Sequence, residues 1–311
     1  MIDDASGAYI EVSVPVDGEA AEAVCELFER CGGGAVVEIR VRDAISGHDL
    51  SQPEHWVRTY LPAQDVEARQ RVEEGLWYLS RIHPTIPEAA IRELSEANWA
   101  EAWKAHYSPL RIGEHFLVLP SWIDESEASP RPDDRILRLD PGMAFGTGLH
   151  PTTRLCLIEL EARLAPGDRV LDVGTGSGIL AIGAMRLGAG EVLGVDIDPR
   201  AIQIAADNAA INGVSLGLSA EGIDAAAEAS PFDLVLANIL AGTIQALAPA
   251  LAARTRAGGL LIASGILDTQ VEALRSALAE QGFEDFDARQ EGDWIALCAR
   301  RSGQRPAAAA P

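Results

Sequence analysis

A glycine-rich segment in the second half of the chain is the strongest candidate for a binding site. It runs from Asp172 to Gly178 as Asp-x-Gly-x-Gly-x-Gly, with its other glycines at Gly174 and Gly176. The segment ends an apolar stretch typical of a β-strand and opens a helical pattern. Ligands of open α/β sheets bind at the carboxyl ends of strands, and glycine lets a ligand approach the backbone closely. This segment therefore predicts a cofactor-binding loop.

The spacing of these glycines excludes two common nucleotide sites. A dinucleotide loop, G-x-G-x-x-G, requires its third glycine at the position that Ile179 occupies. A phosphate-binding Walker loop requires Gly-Lys-Ser/Thr, and this loop contains no Lys or Arg. The pattern is similar to motif one of the seven-stranded methyltransferases that use S-adenosylmethionine, a cofactor that contains no phosphate.

An acidic side chain follows the next strand-like segment. Asp196 ends that strand, and Asp198 and Pro199 follow it. A carboxylate at this position accepts hydrogen bonds from ribose hydroxyls, so Asp196 is the predicted ribose ligand. Asp198 is interpreted as the N-cap of the helix that Pro199 begins.

A third strand-like segment ends at Asn238, within the sequence Ala-Asn-Ile-Leu-Ala. Methyltransferases of planar amides carry Asn-Pro-Pro-Tyr or Asn-Pro-Pro-Phe here, and this chain keeps only the Asn. Without the flat aromatic surface, Asn238 is predicted to orient an aliphatic amine or to contact the cofactor. A turn residue that closes the strand is the alternative.

A second glycine cluster, residues 140–149, precedes His150 and Pro151. The proline predicts the first turn of a helix, which places the hydroxyls of Thr152 and Thr153 at a helix N-terminus. The glycines predict a loop that folds over a bound ligand. An ordinary loop before a helix is the alternative. His150 is a candidate base, and packing of the loop is an equal explanation for it.

The candidate site residues lie within or just before a region of alternating strand and helix patterns that extends from Arg169 to Arg300. This alternation predicts a parallel sheet that is covered on both faces and ends in an antiparallel pair of strands. The first 95 residues follow the order strand-helix-strand-strand-helix-strand of a ferredoxin-like α+β domain. We therefore predict an α/β protein with a domain at 1–95, a connector rich in aromatic residues at 96–120, a sheet domain at 121–301 and a disordered tail at 302–311.

The composition indicates a folded chain, because 48% of its 311 residues are hydrophobic and 23% are charged. Forty-seven acidic against 25 basic residues give a net charge of −22, which argues against nucleic acid or an anionic membrane as a direct partner and favours a basic protein. The N-terminus has no signal-peptide pattern and no apolar run is long enough to span a membrane, so a cytoplasmic location is expected. The four cysteines lack metal or disulfide spacing and are predicted to be buried thiols.

Together, these segments resemble the ribosomal protein L11 methyltransferases, the PrmA family. The resemblance is carried by residues 139–153, 172–178, 196–199 and 237–241, and it extends from about Trp99 to near the C-terminus. Members of that family are seven-stranded Rossmann-like enzymes. The resemblance implies transfer of methyl groups from S-adenosylmethionine to lysine and N-terminal amines of a basic large-subunit ribosomal protein, L11. It also implies a ferredoxin-like domain that recognises this substrate.

The resemblance assigns functions to particular side chains. Asn238 is the predicted catalytic residue, and no metal is required. The predicted cofactor-binding residues are Thr153, Gly174, Gly176, Gly178, Asp196 and Asn238. We expect a monomer. Methylation of another protein or of a small-molecule amine remains an alternative, as does a regulator that binds the cofactor without turnover.

Overall fold

The computed structural model describes residues 9–16, 18–31, 35–39, 55–83, 85–94, 109–139, 150–227 and 229–303. The chain divides into two compact units. Unit 1 comprises Met1–Ser108 with Gly142–Phe145, and unit 2 comprises Pro109–Pro141 with Gly146–Pro311. The two units are described separately.

Unit 1 has the predicted ferredoxin-like order of elements. Its strands form one antiparallel sheet in the order β2-β3-β1-β4. The elements are β1 (Tyr9–Val16), α1 (Gly18–Arg30), β2 (Ala35–Ile39), β3 (His55–Pro62), α2 (Val66–Ile82) and β4 (Ala90–Leu94).

Alternation along the strands of unit 1 explains its core. Val12 and Val14 of β1 and Val57 of β3 are fully buried, and they belong to one apolar cluster with Phe28 of α1 and Val72 of α2. Because alternate strand residues face opposite sides of a sheet, both helices pack on one face. Burial of these side chains stabilises the unit by the hydrophobic effect.

Unit 2 is built on a seven-stranded sheet in the order β10-β9-β8-β11-β12-β14-β13. The first five of these strands are parallel, and β14 and β13 are antiparallel, as the sequence predicted. This arrangement confirms the predicted Rossmann-like fold. The strands are β8 (Arg169–Val173), β9 (Glu191–Val195), β10 (Gly217–Ser219), β11 (Phe232–Asn238), β12 (Thr255–Leu267), β13 (Phe283–Glu291) and β14 (Trp294–Arg301). The helices are α3 (Pro151–Arg163), α4 (Ile179–Leu187), α5 (Pro199–Ile211), α6 (Ala241–Arg254) and α7 (Val271–Glu280).

Helices cover both faces of this sheet. Leu171 of β8 belongs to an apolar cluster with Ile244 of α6 and Leu274 of α7. Val170, the preceding residue, belongs to the opposite cluster with Leu157 of α3 and Leu180 of α4. Strands buried on both faces need continuous apolar runs, which is the pattern that the sequence shows.

A small three-stranded sheet differs from the sequence prediction. Its strands are β5 (Leu110–Ile112), β6 (Phe116–Pro120) and β7 (Arg135–Leu139), in the order β5-β6-β7. The predicted connector includes residues 109–120, which pack with unit 2. All five residues of β6 are buried, so the strand shows no polar alternation to reveal it. Residues 96–108 of the predicted connector lie outside the described residues, as does the tail from residue 304.

Two further expectations concern the cysteines and the membrane. Cys25, Cys31, Cys156 and Cys298 are all buried, which confirms that interpretation. In the described ranges, none of the helices combines the length and the apolar character that a membrane crossing requires.

Candidate functional site

The predicted site residues of β8, β9 and β11 lie at one edge of the large sheet. Val173, the last residue of β8, pairs with Val195 of β9 and with Ala237 of β11. The strands are parallel, so their carboxyl ends meet there, and this edge is called the carboxyl rim below. Gly174 and Asp196, which directly follow β8 and β9, therefore share the rim with Asn238, the last residue of β11.

The glycine loop adopts a backbone conformation that requires glycine. Gly174, Gly176 and Gly178 have φ values of +75°, +54° and +80°, in the left-handed region that other residues rarely adopt. A Cβ atom on Gly174 would overlap the side chain of Ile239, which follows β11. The backbone of the loop thus passes directly beside the end of β11.

The structure gives Gly178 a packing function. A Cβ atom on Gly178 would lie 3.1 Å from the Cβ of Ala205 in α5, because the start of α4 packs closely against that helix. The buried side chain of Asn208 in α5 donates a hydrogen bond of 2.8 Å to the carbonyl of Ser177. Helix α5 therefore fixes the last turn of the loop.

Asp172 is a buried carboxylate beneath the loop, with 1% of its surface exposed. Its Oδ2 atom accepts a hydrogen bond of 2.7 Å from the hydroxyl of Thr175. Its Oδ1 atom has no hydrogen-bond partner among the described residues. Burial raises the pKa of Asp172 to about 6, and the charge of Asp196 adds to this, while the Thr175 hydroxyl and the amide of Ala181 oppose it. The site therefore contains an incompletely paired negative charge.

Asp196 connects the glycine loop to the end of β9. Its Oδ2 accepts from the amide of Gly176 at 3.0 Å, and its Oδ1 accepts from the amide of Asp198 at 3.0 Å. A carboxylate has about four acceptor positions, so both oxygens retain capacity for further donors. Asp198 caps α5 by accepting from Arg200, as the sequence predicted. The next residue after Asp196 is Ile197, whose side chain is 87% exposed.

Thr153 and Asn238 are brought together although 85 positions separate them. The amide Nδ2 of Asn238 donates to the hydroxyl of Thr153 at 3.4 Å. Thr153 lies in the first turn of α3 and is 1% exposed, whereas Asn238 is half-buried at the end of β11. The contact joins the helix N-terminus to the carboxyl rim.

His150 caps α3 through its ring. Its Nδ1 atom accepts from the backbone amide of Thr152 at 3.3 Å and lies 2.7 Å from the hydroxyl of that residue. The ring packs edge-on against Trp294 at a centroid distance of 4.8 Å. This geometry favours the packing explanation over the base.

The site contains residues that the sequence does not single out. The sequence pattern indicates Asp172 only as part of the loop motif, and it does not indicate Thr175 or Trp294. The acidic first position of the motif was the available signal for Asp172, whereas Trp294 carried none. Among the described residues, no group of three or more His, Cys, Asp or Glu side chains could hold a metal ion. The predicted closing loop, residues 140–149, lies outside the described part of the chain.

Sequence comparisons find proteins that are similar to this chain over nearly its whole length. The profile of a family described as ribosomal protein L11 methyltransferase (PrmA) matches residues 8–302. A protein named ribosomal protein L11 methyltransferase from Chloroflexus aurantiacus is 44% identical and covers 94% of this chain and 98% of its own. Proteins of the same name from Herpetosiphon aurantiacus and Pelobacter propionicus are 40% and 39% identical, with similar coverage.

A solved structure is also similar. The ribosomal protein L11 methylase from Lactobacillus delbrueckii subsp. bulgaricus has a TM-score of 0.57 and 38% sequence identity to this chain. The match covers 63% of this chain and 100% of that protein.

Proposed function

Because the chain belongs to the ribosomal protein L11 methyltransferase (PrmA) family, we propose that it transfers methyl groups from S-adenosylmethionine to amino groups of ribosomal protein L11. The acceptors are lysine side chains and the N-terminal amine. The observation that carries this proposal is the meeting of the glycine loop, Asp196 and the Asn238–Thr153 contact at the carboxyl rim.

The residues at the rim fit this cofactor. Its sulfonium and ammonium groups are positive, and the buried Asp172 supplies a negative charge with one unpaired oxygen. Asp196 has acceptor capacity for ribose hydroxyls, and the exposed Ile197 supplies an apolar surface for the adenine ring. At Gly174 a side chain would fill the space between the loop and the end of β11. The positive groups, the ribose and the adenine ring of the cofactor therefore each have a complementary group in this chain.

The reaction requires orientation more than acid–base chemistry. When bound, the cofactor supplies an activated methyl group. The chain holds the acceptor amine in line with that group, and such positioning contributes about 7–11 kcal/mol to lowering a barrier. Asn238 is the proposed orienting residue, because its amide lies at the rim and is itself held by Thr153.

The acceptor amine must lose a proton before it attacks. A free lysine has a pKa of about 10.4, so deprotonation at pH 7 costs about 4–5 kcal/mol. An apolar surrounding lowers that pKa, and Ile239 with the 46% exposed Leu240 provides apolar surface beside Asn238. His150 is not the proposed base, since its Nδ1 is used to cap α3.

Recognition of the protein substrate is assigned to the ferredoxin-like unit. Residues 1–108 contain 20 acidic and 9 basic residues, a difference of −11. Ribosomal proteins bind RNA and carry basic surfaces, so this charge attracts them and repels nucleic acid. We assign the chain to the cytoplasm as a monomer that binds neither RNA nor membranes.

Methylation of purified ribosomal protein L11 with isotope-labelled S-adenosylmethionine tests this function. We expect label on lysine and N-terminal amines of L11, located by mass spectrometry, and a large loss of label with Asn238→Ala. Total large-subunit protein serves as the competing substrate. Label on another protein alone would favour a different substrate, and cofactor binding without any labelled product would favour a regulator.

A further inference from the structure

The first turn of α3 is held by the last β-hairpin of the sheet. Arg154 lies directly after Thr153 and forms a two-oxygen ion pair with Glu291, the last residue of β13. Its Nε atom lies 3.0 Å and 3.3 Å from the two carboxylate oxygens, and its Nη2 atom contacts Oε1 as well. Paired hydrogen bonds of this kind fix orientation as well as distance.

The arginine of this ion pair is largely buried. The side chain of Arg154 is 16% exposed and that of Glu291 is 40% exposed. A second contact lies beside it, because Trp294 at the start of β14 packs against His150, the N-cap of α3. The hairpin thus contacts α3 on both sides of Thr152 and Thr153.

The hydrogen bond between Thr153 and Asn238, which this hairpin supports, is sensitive to the position of α3. Thr153 and Asn238 are joined by a hydrogen bond of 3.4 Å, near the upper limit of such bonds. A small displacement of the first turn of α3 would break it.

We infer that Glu291 is a positioning residue of the methyl-transfer site, acting through Arg154 to hold Thr153 against Asn238. This inference rests on the proposed function, and it adds a residue from the far edge of the sheet to the site. The glycine loop and Asp196 do not position the part of the rim that lies next to α3. The contacts of the β13–β14 hairpin position that part.

The chain provides a matched control. Asp287 also lies on β13 and pairs with Arg163 of α3, but at the opposite end of that helix. Removing either carboxylate breaks one ion pair between the same strand and the same helix. Only Glu291 is next to the rim. A purely structural effect would therefore be shared by Glu291→Ala and Asp287→Ala.

The experiment compares these variants in the full-length protein. The affinity for S-adenosylmethionine is measured by calorimetry, kcat and KM by methylation of ribosomal protein L11, and stability by urea unfolding. We expect Glu291→Ala to lower cofactor affinity or kcat by at least about fivefold, since misplacement of site residues by an ångström has large effects on rate. Asp287→Ala should leave both values within about twofold of wild type, and its urea unfolding shows how much of any change follows from stability alone.

Charge reversal provides the rescue. The double variant Arg154→Glu with Glu291→Arg restores an ion pair of opposite direction, and it should recover most of the activity that Glu291→Ala loses. Equal effects of Glu291→Ala and Asp287→Ala on affinity and rate would overturn the inference. A wild-type protein that does not bind the cofactor would instead overturn the proposed function, so the two failures are distinguishable.

Discussion

Ionisation of the buried carboxyl group of Asp172 is expected to lower the free energy of unfolding by a measurable amount. An unperturbed Asp has a pKa of about 3.9, whereas burial raises that of Asp172 to about 6. The folded state therefore binds this proton more tightly than the unfolded state. Stability from this group is fully present below about pH 4 and is lost as the pH rises through 6. At pH 7.5 the cost is about 3 kcal/mol, at 1.36 kcal/mol for each pKa unit.

The substitution Asp172→Asn removes this titration. Asn keeps the shape and can accept from Thr175 through its oxygen, and any cost of its unpaired NH₂ group is independent of pH. The free energy of unfolding of both proteins is measured with urea at about pH 5 and about pH 7.5. The difference between the two proteins isolates the contribution of the Asp172 carboxyl group. We expect the free energy of unfolding of Asp172→Asn to gain about 1.4 kcal/mol relative to wild type between these pH values.

The cofactor provides a second measurement at the same residue. A cation bound at the rim favours the ionised carboxylate, so binding of S-adenosylmethionine at about pH 6 should release part of a proton in wild type. Calorimetry in two buffers of different ionisation enthalpy measures this release, which Asp172→Asn should abolish together with some affinity. A parallel pH dependence of stability in the two proteins, with equal proton release, would refute the reasoning.

Three further predictions follow from the rim and from the division into units. Asp196→Ala should weaken S-adenosylmethionine binding by about 1.5–3 kcal/mol with Asp196→Asn less affected, and tighter calorimetric binding of NAD than of the methyl donor would contradict the assignment. Gly174→Val should abolish cofactor binding and also lower the thermal midpoint, because its side chain meets Ile239 and its φ is +75°; an unchanged midpoint in calorimetry would contradict this. A fragment beginning at Pro109 should retain cofactor affinity but lose methylation of ribosomal protein L11. The association of the full chain with that substrate should slow as salt rises, because the Debye length falls from about 10 Å at 0.1 M to about 3 Å at 1 M. Equal methylation by fragment and full chain in the labelling assay would remove the first unit from substrate recognition.

The amino-acid sequence by itself determined the order of elements in the ferredoxin-like unit, the main strands and helices of the large sheet, and the class of cofactor. Apolar runs, helical spacing and punctuation by Gly and Pro act within a few residues, so they are readable without a fold. The glycine spacing distinguished a methyltransferase loop from a dinucleotide loop. The position of Asp196 at a strand end predicted the neighbouring part of the rim, because parallel strands end at one edge.

The sequence was less informative about a strand that is buried from both sides and about a very short strand at the edge of the sheet. Strand β6 is apolar throughout, and the short β10 has three residues, so neither shows a period that identifies a strand. The start of the second unit at Pro109 followed from the packing of β5 to β7 and from no local composition. The ferredoxin-like unit was predicted because its strands alternate.

Only the tertiary structure decided how the site residues act on one another. Thr153 meets Asn238 from 85 positions away, and Arg154 meets Glu291 from 137 positions away. No local pattern encodes such pairs, since they depend on how α3 packs across the sheet. The raised pKa of Asp172 has the same origin, because its cause is burial by surrounding elements and not the identity of the residue.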